Sequence, residues 1–192
     1  MVKYLFAVMV LLWLPARAFD VELGGGTGWG APYGTGLETH ISFNKYIQLD
    51  AGFGFSMNGL KYGFGAKGLY PVDKYIALFA GVNFTRSSGL SPVTVYVYEE
   101  SAQYAYKAGN VLNVKAGLLI SLSFLQMYGG AGYGFVVQGG GVKLLAGDDS
   151  KDVRDFAELM ELGGWEISGA MLISLKGFKK SLFKKKEPIN PQ

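Results

Sequence analysis

The stretch IQLDAGFGFSMNGLKYGFGAKGLY, residues 47 to 70, carries the signal that decides the fold. Its first half sets Ile47, Leu49, Ala51, Phe53, Phe55 and Met57 at alternate positions, with Gln48, Asp50, Gly52, Gly54 and Ser56 between them. Period two is the period of a β-strand, so this half predicts a strand with one apolar face. The second half repeats the pattern, with Leu60, Tyr62, Phe64, Ala66, Gly68 and Tyr70 opposite Lys61, Gly63, Gly65, Lys67 and Leu69. Asn58-Gly59 between them suits a two-residue hairpin turn that pairs positions summing to 117. Residues 76–84 and 112–124 alternate as strongly, and 20–29, 36–43, 127–137 and 164–175 more weakly. The count is eight strands, each close to the ~9–11 residues a tilted strand needs to cross a bilayer.

The second face of these strands separates a membrane barrel from a soluble one. A soluble sandwich turns Lys, Glu, Thr and Ser to water on that face. Here the face is largely Gly and Ser with a few charges, which fits the crowded inside of a narrow eight-stranded barrel. The whole chain has 192 residues with 29 glycines, 49% hydrophobic and 17% charged residues and no cysteine. Mean hydropathy is +0.21. Disorder is excluded by the apolar content. A helical membrane bundle is excluded because, after residue 15, no apolar run approaches the ~18 residues of a spanning helix. Aromatic residues near the strand ends, Phe43 with Tyr46, Tyr70 with Tyr75, Phe124 with Tyr128, and Trp165, suit two interfacial girdles. In lipid an open sheet edge leaves backbone groups unpaired, so the expected fold is all-β: a closed antiparallel eight-stranded up-and-down transmembrane β-barrel.

Residues 1–18 read as a signal peptide, with Lys3, the apolar run Tyr4 to Leu14, and the small-x-small site Ala16-Arg17-Ala18. The barrel is expected over 19–177 and a basic periplasmic tail over 178–192. Without Lys3 and Arg17 the chain holds 16 basic and 15 acidic residues, and six of the lysines lie between 176 and 192. The body is therefore acidic, and nucleic acid is not an expected partner. With both termini periplasmic, the gaps 30–35, 58–59, 87–110 and 138–163 face outward and 44–46, 71–74 and 125–126 inward. The long gaps are both outer, as in bacterial outer-membrane barrels. Val93 to Tyr98 alternates and predicts an outer hairpin with 103–107, which leaves ten strands as an alternative to eight.

From Val21-Glu22-Leu23-Gly24-Gly25-Gly26 through Phe43-Asn44-Lys45-Tyr46-Ile47-Gln48-Leu49-Asp50-Ala51-Gly52 to Ile173, the chain resembles the small outer-membrane β-barrels of Gram-negative bacteria, the OmpX-like proteins and the transmembrane domain of OmpA. The resemblance implies a cell outer-membrane location, outer-membrane lipid and lipopolysaccharide as surroundings, and delivery by the barrel-assembly machinery. Such barrels usually end on an aromatic residue; the eighth strand, Glu166 to Leu175, has none, and Phe178 or Phe183 would have to stand in.

Chemistry has few candidates. Gly63 to Gly68 matches G-x-G-x-x-G, but it lies within an alternating strand and no helix follows, so the dinucleotide reading fails its context. His40 is the lone histidine, which leaves no multi-histidine metal site. His40-Ile41-Ser42 resembles the His-x-Ser of lipid A deacylases of the PagL type, yet Glu38, His40 and Ser42 share the inward face, away from a lipid substrate. A polar plug accounts for these residues better. A turn at 44–46 sets His40 opposite Asp50, and the 58–59 turn sets Asp50 opposite Lys67. Glu22, Glu38, Lys61, Lys115 and Glu166 extend this lumen network, since buried charges must be paired. Neither a catalytic residue nor a metal or other cofactor is expected. Residues 148–161 predict an amphipathic helix on the barrel rim, capped by Asp149 or Ser150, with Val153, Phe156 and Met160 on one side and a solvated acidic face on the other. Lys179, Lys180, Lys184, Lys185 and Lys186 suit an anionic membrane or periplasmic surface. The expectation is a non-enzymatic surface or envelope-structural barrel acting through its long outer loops, on an extracellular or periplasmic partner. The alternatives are a narrow pore for ions or small solutes and a lipid A-modifying hydrolase.

Overall fold

A computed structural model describes residues 20–147 and 150–175. The expected signal peptide at 1–18 and the tail lysines from Lys179 onward lie outside those residues. The strands are β1 (Asp20–Trp29), β2 (Thr35–Ser42), β3 (Ile47–Ser56), β4 (Gly59–Pro71), β5 (Ile76–Ser87) and β6 (Leu90–Val97). After them come β7 (Glu100–Tyr106), β8 (Gly109–Leu122), β9 (Leu125–Gly139), β10 (Val142–Gly147), the helix α1 (Lys151–Leu159) and β11 (Gly164–Ser174).

Eight of the strands close a barrel in the order β1-β11-β9-β8-β5-β4-β3-β2, every neighbour antiparallel. Closure is made by β1 on β11, from Glu22 opposite Ser174 to Trp29 opposite Ile167. The chain is therefore an eight-stranded up-and-down barrel, and the ten-stranded alternative is excluded. The reason lies in the outer hairpin: β6 and β7 pair with each other and with β10, forming a separate three-stranded sheet in the order β10-β7-β6. The β10 strand was not visible in the sequence, where Val142 to Gly147 shows no alternation.

Burial along each barrel strand follows the pleat, but with the soluble pattern inverted. Phe53, Phe55, Phe64, Tyr70, Trp165 and Ile167 are exposed, while Glu38, His40, Asp50, Lys67, Lys115 and Glu166 are buried. An apolar belt of that kind is stable against hydrocarbon, and a closed barrel leaves no strand edge in it. Among the described residues no helix is long and apolar enough to cross a membrane.

The turns at one mouth of the barrel are short, and the β2–β3 and β4–β5 turns among them are alike. At Asn44 the side-chain Oδ1 accepts from the Tyr46 and Ile47 amides at 2.7 and 3.0 Å, and Asp73 does the same for Tyr75 and Ile76 at 2.6 and 2.8 Å. Each turn then folds its lysine over its tyrosine, with Lys45 Nζ 4.9 Å from the Tyr46 ring centre and Lys74 Nζ 4.5 Å from that of Tyr75. At the opposite mouth the β3–β4 turn corrects the sequence register. Met57 and Asn58 form the turn, neither with a positive φ, and Gly59 takes φ 94° after it. The turn is thus followed by a left-handed glycine, and Ser56 stands opposite Gly59. All pairs shift by two, so Asp50 faces Gly65 and Lys67 faces Gln48. A shift of two preserves the face, and every inward side chain stays inward.

Above that mouth the β10-β7-β6 sheet carries α1. Ser150 caps the helix, its side chain accepting from the Val153 amide, and also donates to the Glu100 carboxylate. Val153 and Ala157 pack against Val95, Ala102, Tyr104 and Tyr106 in a small apolar core. Tyr106 donates its hydroxyl to the Ala157 carbonyl at 3.2 Å, and burial, followed by the nearby Glu161 carboxylate, raises its phenol above the ordinary value. The helix thus packs on a sheet of the lobe, and Phe156, expected on its apolar side, remains exposed.

Two glycines make the wall testable. A Cβ on Gly24 would fall 1.9 Å from the Met171 carbonyl oxygen, whereas one on Gly129 would meet nothing within 4 Å. Gly24→Val is expected to abolish heat-modifiable migration of the refolded chain on a gel, while Gly129→Ala migrates as wild type.

Candidate functional site

Alternation places every second residue of the barrel strands inside a tube whose width just accommodates side chains. Long interior side chains fit because glycines face them. A Cβ on Gly26 would lie 2.2 Å from Glu38 Oε1, one on Gly52 2.6 Å from Tyr33 Cδ2, one on Gly81 2.8 Å from Lys67 Cγ, and one on Gly130 2.8 Å from Phe79 Cζ. The glycine-rich face is the negative of the packed interior.

The polar interior side chains lie in three tiers. Nearest the short turns, Glu22 accepts from Gln48 Nε2 at 3.0 Å and from Gln126 Nε2 at 2.9 Å. Gln48 Nε2 also donates to Ser42 Oγ at 3.0 Å and to Gln126 Oε1 at 3.2 Å.

The central tier holds Glu38, His40, Asp50 and Lys67, each buried. Lys67 Nζ lies 3.8 Å from Asp50 Oδ1, 3.3 Å from His40 Nε2 and 4.3 Å from the centre of the Tyr128 ring. Tyr128 in turn donates to Glu38 Oε2 at 2.7 Å and stacks on the His40 ring at 5.5 Å. Asp50 Oδ2 accepts from Tyr33 Oη at 2.7 Å and from Asn83 Nδ2 at 2.5 Å. His40 opposes Asp50 in the ladder, while Lys67, two positions from its expected place, still reaches Asp50 diagonally. One nitrogen faces two demands here. His40 Nε2 stands 3.3 Å from both Glu38 Oε2 and Lys67 Nζ. Protonated, it donates to Glu38; unprotonated, it accepts from Lys67; it cannot do both.

The outer tier is less complete. Glu166 Oε1 accepts from Ser168 at 2.7 Å, leaving Oε2 without a partner. Lys115 Nζ has no hydrogen bond and stands 5.2 Å from the Tyr128 ring centre. Lys61 Nζ donates to the Ala31 carbonyl at 3.3 Å. These three residues are inside, as expected, but are not joined to the central cluster by hydrogen bonds.

Sequence reasoning missed the side chains that complete the central tier. Tyr33 belongs to the loop between β1 and β2, yet it is fully buried and hangs into the lumen. Tyr128 was assigned to an interfacial girdle; it is an interior residue, and its parity with Gln126 was the available signal. Asn83 and Phe79 were readable from their alternation with Ile76, Leu78 and Val82. Ser42 and His40 do face inward, but Ser42 Oγ is held by Gln48 and His40 Nε2 by Glu38 and Lys67. Among the described residues no group of three or more His, Cys, Asp or Glu is placed to hold a metal ion.

The chain was compared with protein families, curated proteins and solved structures. No family model matches it, and no curated protein does. In structure it is similar to the N-terminal β-barrel domain of Pseudomonas aeruginosa OprF. The TM-score is 0.48 at 9% sequence identity, over 82% of this chain and 96% of that one.

The central tier predicts its own energetics. Lys67→Met leaves Asp50 without its counter-charge and is expected to cost about 3–5 kcal/mol, and Tyr128→Phe about 1–3 kcal/mol from the donor lost to Glu38. The double variant Lys67→Met with Asp50→Asn should recover much of the loss. Urea midpoints of folding in lipid vesicles, read by heat-modifiable migration, measure all three.

Proposed function

We propose that this protein resides in the bacterial outer membrane as a non-enzymatic barrel with an occluded, charge-paired lumen, acting at the cell surface through its outer lobe. The supporting observation is that the two long loops are a folded unit with its own core, Val95, Ala102, Tyr104 and Tyr106 against Val153 and Ala157. A loop that served only to join strands has no need of a core, whereas a recognition or envelope-structural surface gains from a fixed shape. Lipid and lipopolysaccharide surround the apolar belt, and the barrel-assembly machinery inserts it. Support for occlusion comes from the tier at Lys67, where Tyr33, Tyr128 and Phe79 stand among four ionisable groups. His40 and Ser42 belong to that packing, away from any acyl chain outside, which supports a structural role over a hydrolytic one.

A narrow pore is the second reading. It is favoured by the outer tier, where Lys115 Nζ and Glu166 Oε2 are buried without hydrogen bonds, since charged groups with unmet demands are free to re-pair around an ion.

Single-channel recording of the refolded chain in planar bilayers decides between them. Wild type is expected to be silent, and Lys67→Ala to give salt-scaled current steps as the central tier loses its longest side chain. Steady steps from wild type would overturn occlusion and make the lumen the functional site.

A further inference from the structure

A cavity of about 490 Å³ lies at the loop-bearing mouth, between the β1–β2 loop, the β3–β4 turn and the C-terminal end of α1. Its size falls in the range of small-molecule sites, about 300–1,000 Å³. The walls are apolar: Trp29, Phe55 and Met57 come from the barrel and Leu159 and Met160 from the helix end. Leu159 is 62% exposed although Val153 and Ala157 of the same helix are fully buried. The helix therefore has two apolar sides, one spent on the lobe core and one turned to this cavity.

At the cavity wall stands Lys61, 8% exposed. Its ammonium has three donors, and the hydrogen bond it makes is to the Ala31 carbonyl. Glu166 acts on it from β11 only at longer range: among the described residues no carboxylate lies within 4.0 Å of it. The other interior lysines differ, because Lys67 has Asp50 and two rings around it, and neither it nor Lys115 lines the cavity. A nine-tenths-buried ammonium without a counter-charge in contact is costly, and an anion placed beside it reduces that cost.

We propose that this mouth cavity binds a small amphipathic carboxylate, its acid group on Lys61 and its apolar body against Met57, Leu159 and Met160. Glu161, also on the wall, sets the polarity of the seat. Its negative charge disfavours a second anionic group at the α1 end, so the ligand carries one charge at one end. The inference goes beyond a surface role for the lobe and stands whether or not the lumen conducts, because the cavity lies above the tier at Lys67.

The test uses the full chain refolded into phosphatidylcholine nanodiscs, with heat-modifiable migration confirming the fold of every variant. 4-Phenylbutyrate is the probe and backbone amide resonances of residues 28–34 and 57–61 the readout. Saturable shifts confined to those residues are expected. Lys61→Met should weaken binding roughly tenfold or more, as loss of a charge-assisted contact does. Glu161→Gln, which leaves Lys61 untouched, should tighten it, and this variant keeps the proposal testable if Lys61→Met does not fold. Absence of saturation, equal binding by 4-phenylbutylamine, or weaker binding by Glu161→Gln would overturn the proposal. Equal affinity of Lys61→Met would do the same. Current steps from wild type in planar bilayers, by contrast, would bear on occlusion alone.

Discussion

Hydrocarbon offers no hydrogen-bond partner to a peptide group, and in the outer-membrane reading proposed above the rest of the fold depends on that constraint. A strand that enters lipid must pair on both edges, and eight antiparallel strands satisfy this only when the first meets the last. The ladder between β1 and β11 makes that closure, from Glu22 with Ser174 to Trp29 with Ile167. Once it is made, the pleat assigns each residue to lipid or lumen with no third choice. The inverted burial of Phe64 and Lys67, three residues apart on one strand, is the direct result.

Closure at eight strands also fixes the interior chemistry. The tube is too narrow for bulk water and wide enough for side chains, so polar groups there must satisfy one another. Near the short turns the amides of Gln48 and Gln126 donate to Glu22, while Gln48 Oε1 is left without a partner. In the centre, aromatic hydroxyls and rings share the work with charges. Toward the loop-bearing mouth the pairing thins, until Lys61 has only a backbone carbonyl. Buried polar atoms without a hydrogen bond occur in every tier, Gln48 Oε1, His40 Nδ1 and Glu166 Oε2 among them, and the folded lobe stands over the loop-bearing mouth.

Most of the barrel was legible because period two survives in Ile47 to Tyr70 and in Leu112 to Phe124 without interruption. The face of each candidate charge was legible for the same reason, since parity does not depend on register. What alternation cannot carry is the choice of turn. Asn58-Gly59 reads as the two turn residues, yet the glycine follows the turn, and the register moved by two. Tyr33 was invisible because a loop has no period, and nothing in Ala31-Pro32-Tyr33 says that the ring drops into the lumen. Tyr128 differs from the girdle expectation because an aromatic near a strand end fits both a girdle and a core; its parity with Gln126 and its hydrogen bond to Glu38 place it in the core. The strand β10 was hidden because its pairing partner, β7, lies more than thirty positions away in a different loop.

Knobs set against glycines have an evolutionary consequence. Each long interior side chain occupies the volume that a neighbour gave up, Tyr33 over Gly52, Lys67 over Gly81, Phe79 over Gly130. Neither member of such a couple is free to drift by itself, because enlarging one demands shortening the other. Variation inside the tube should therefore arrive as compensated doublets between facing positions, while the outer face exchanges one apolar residue for another singly. A lineage that reshaped this interior would meet such couples one after another, because each change in one member alters the fit of the group that faces it.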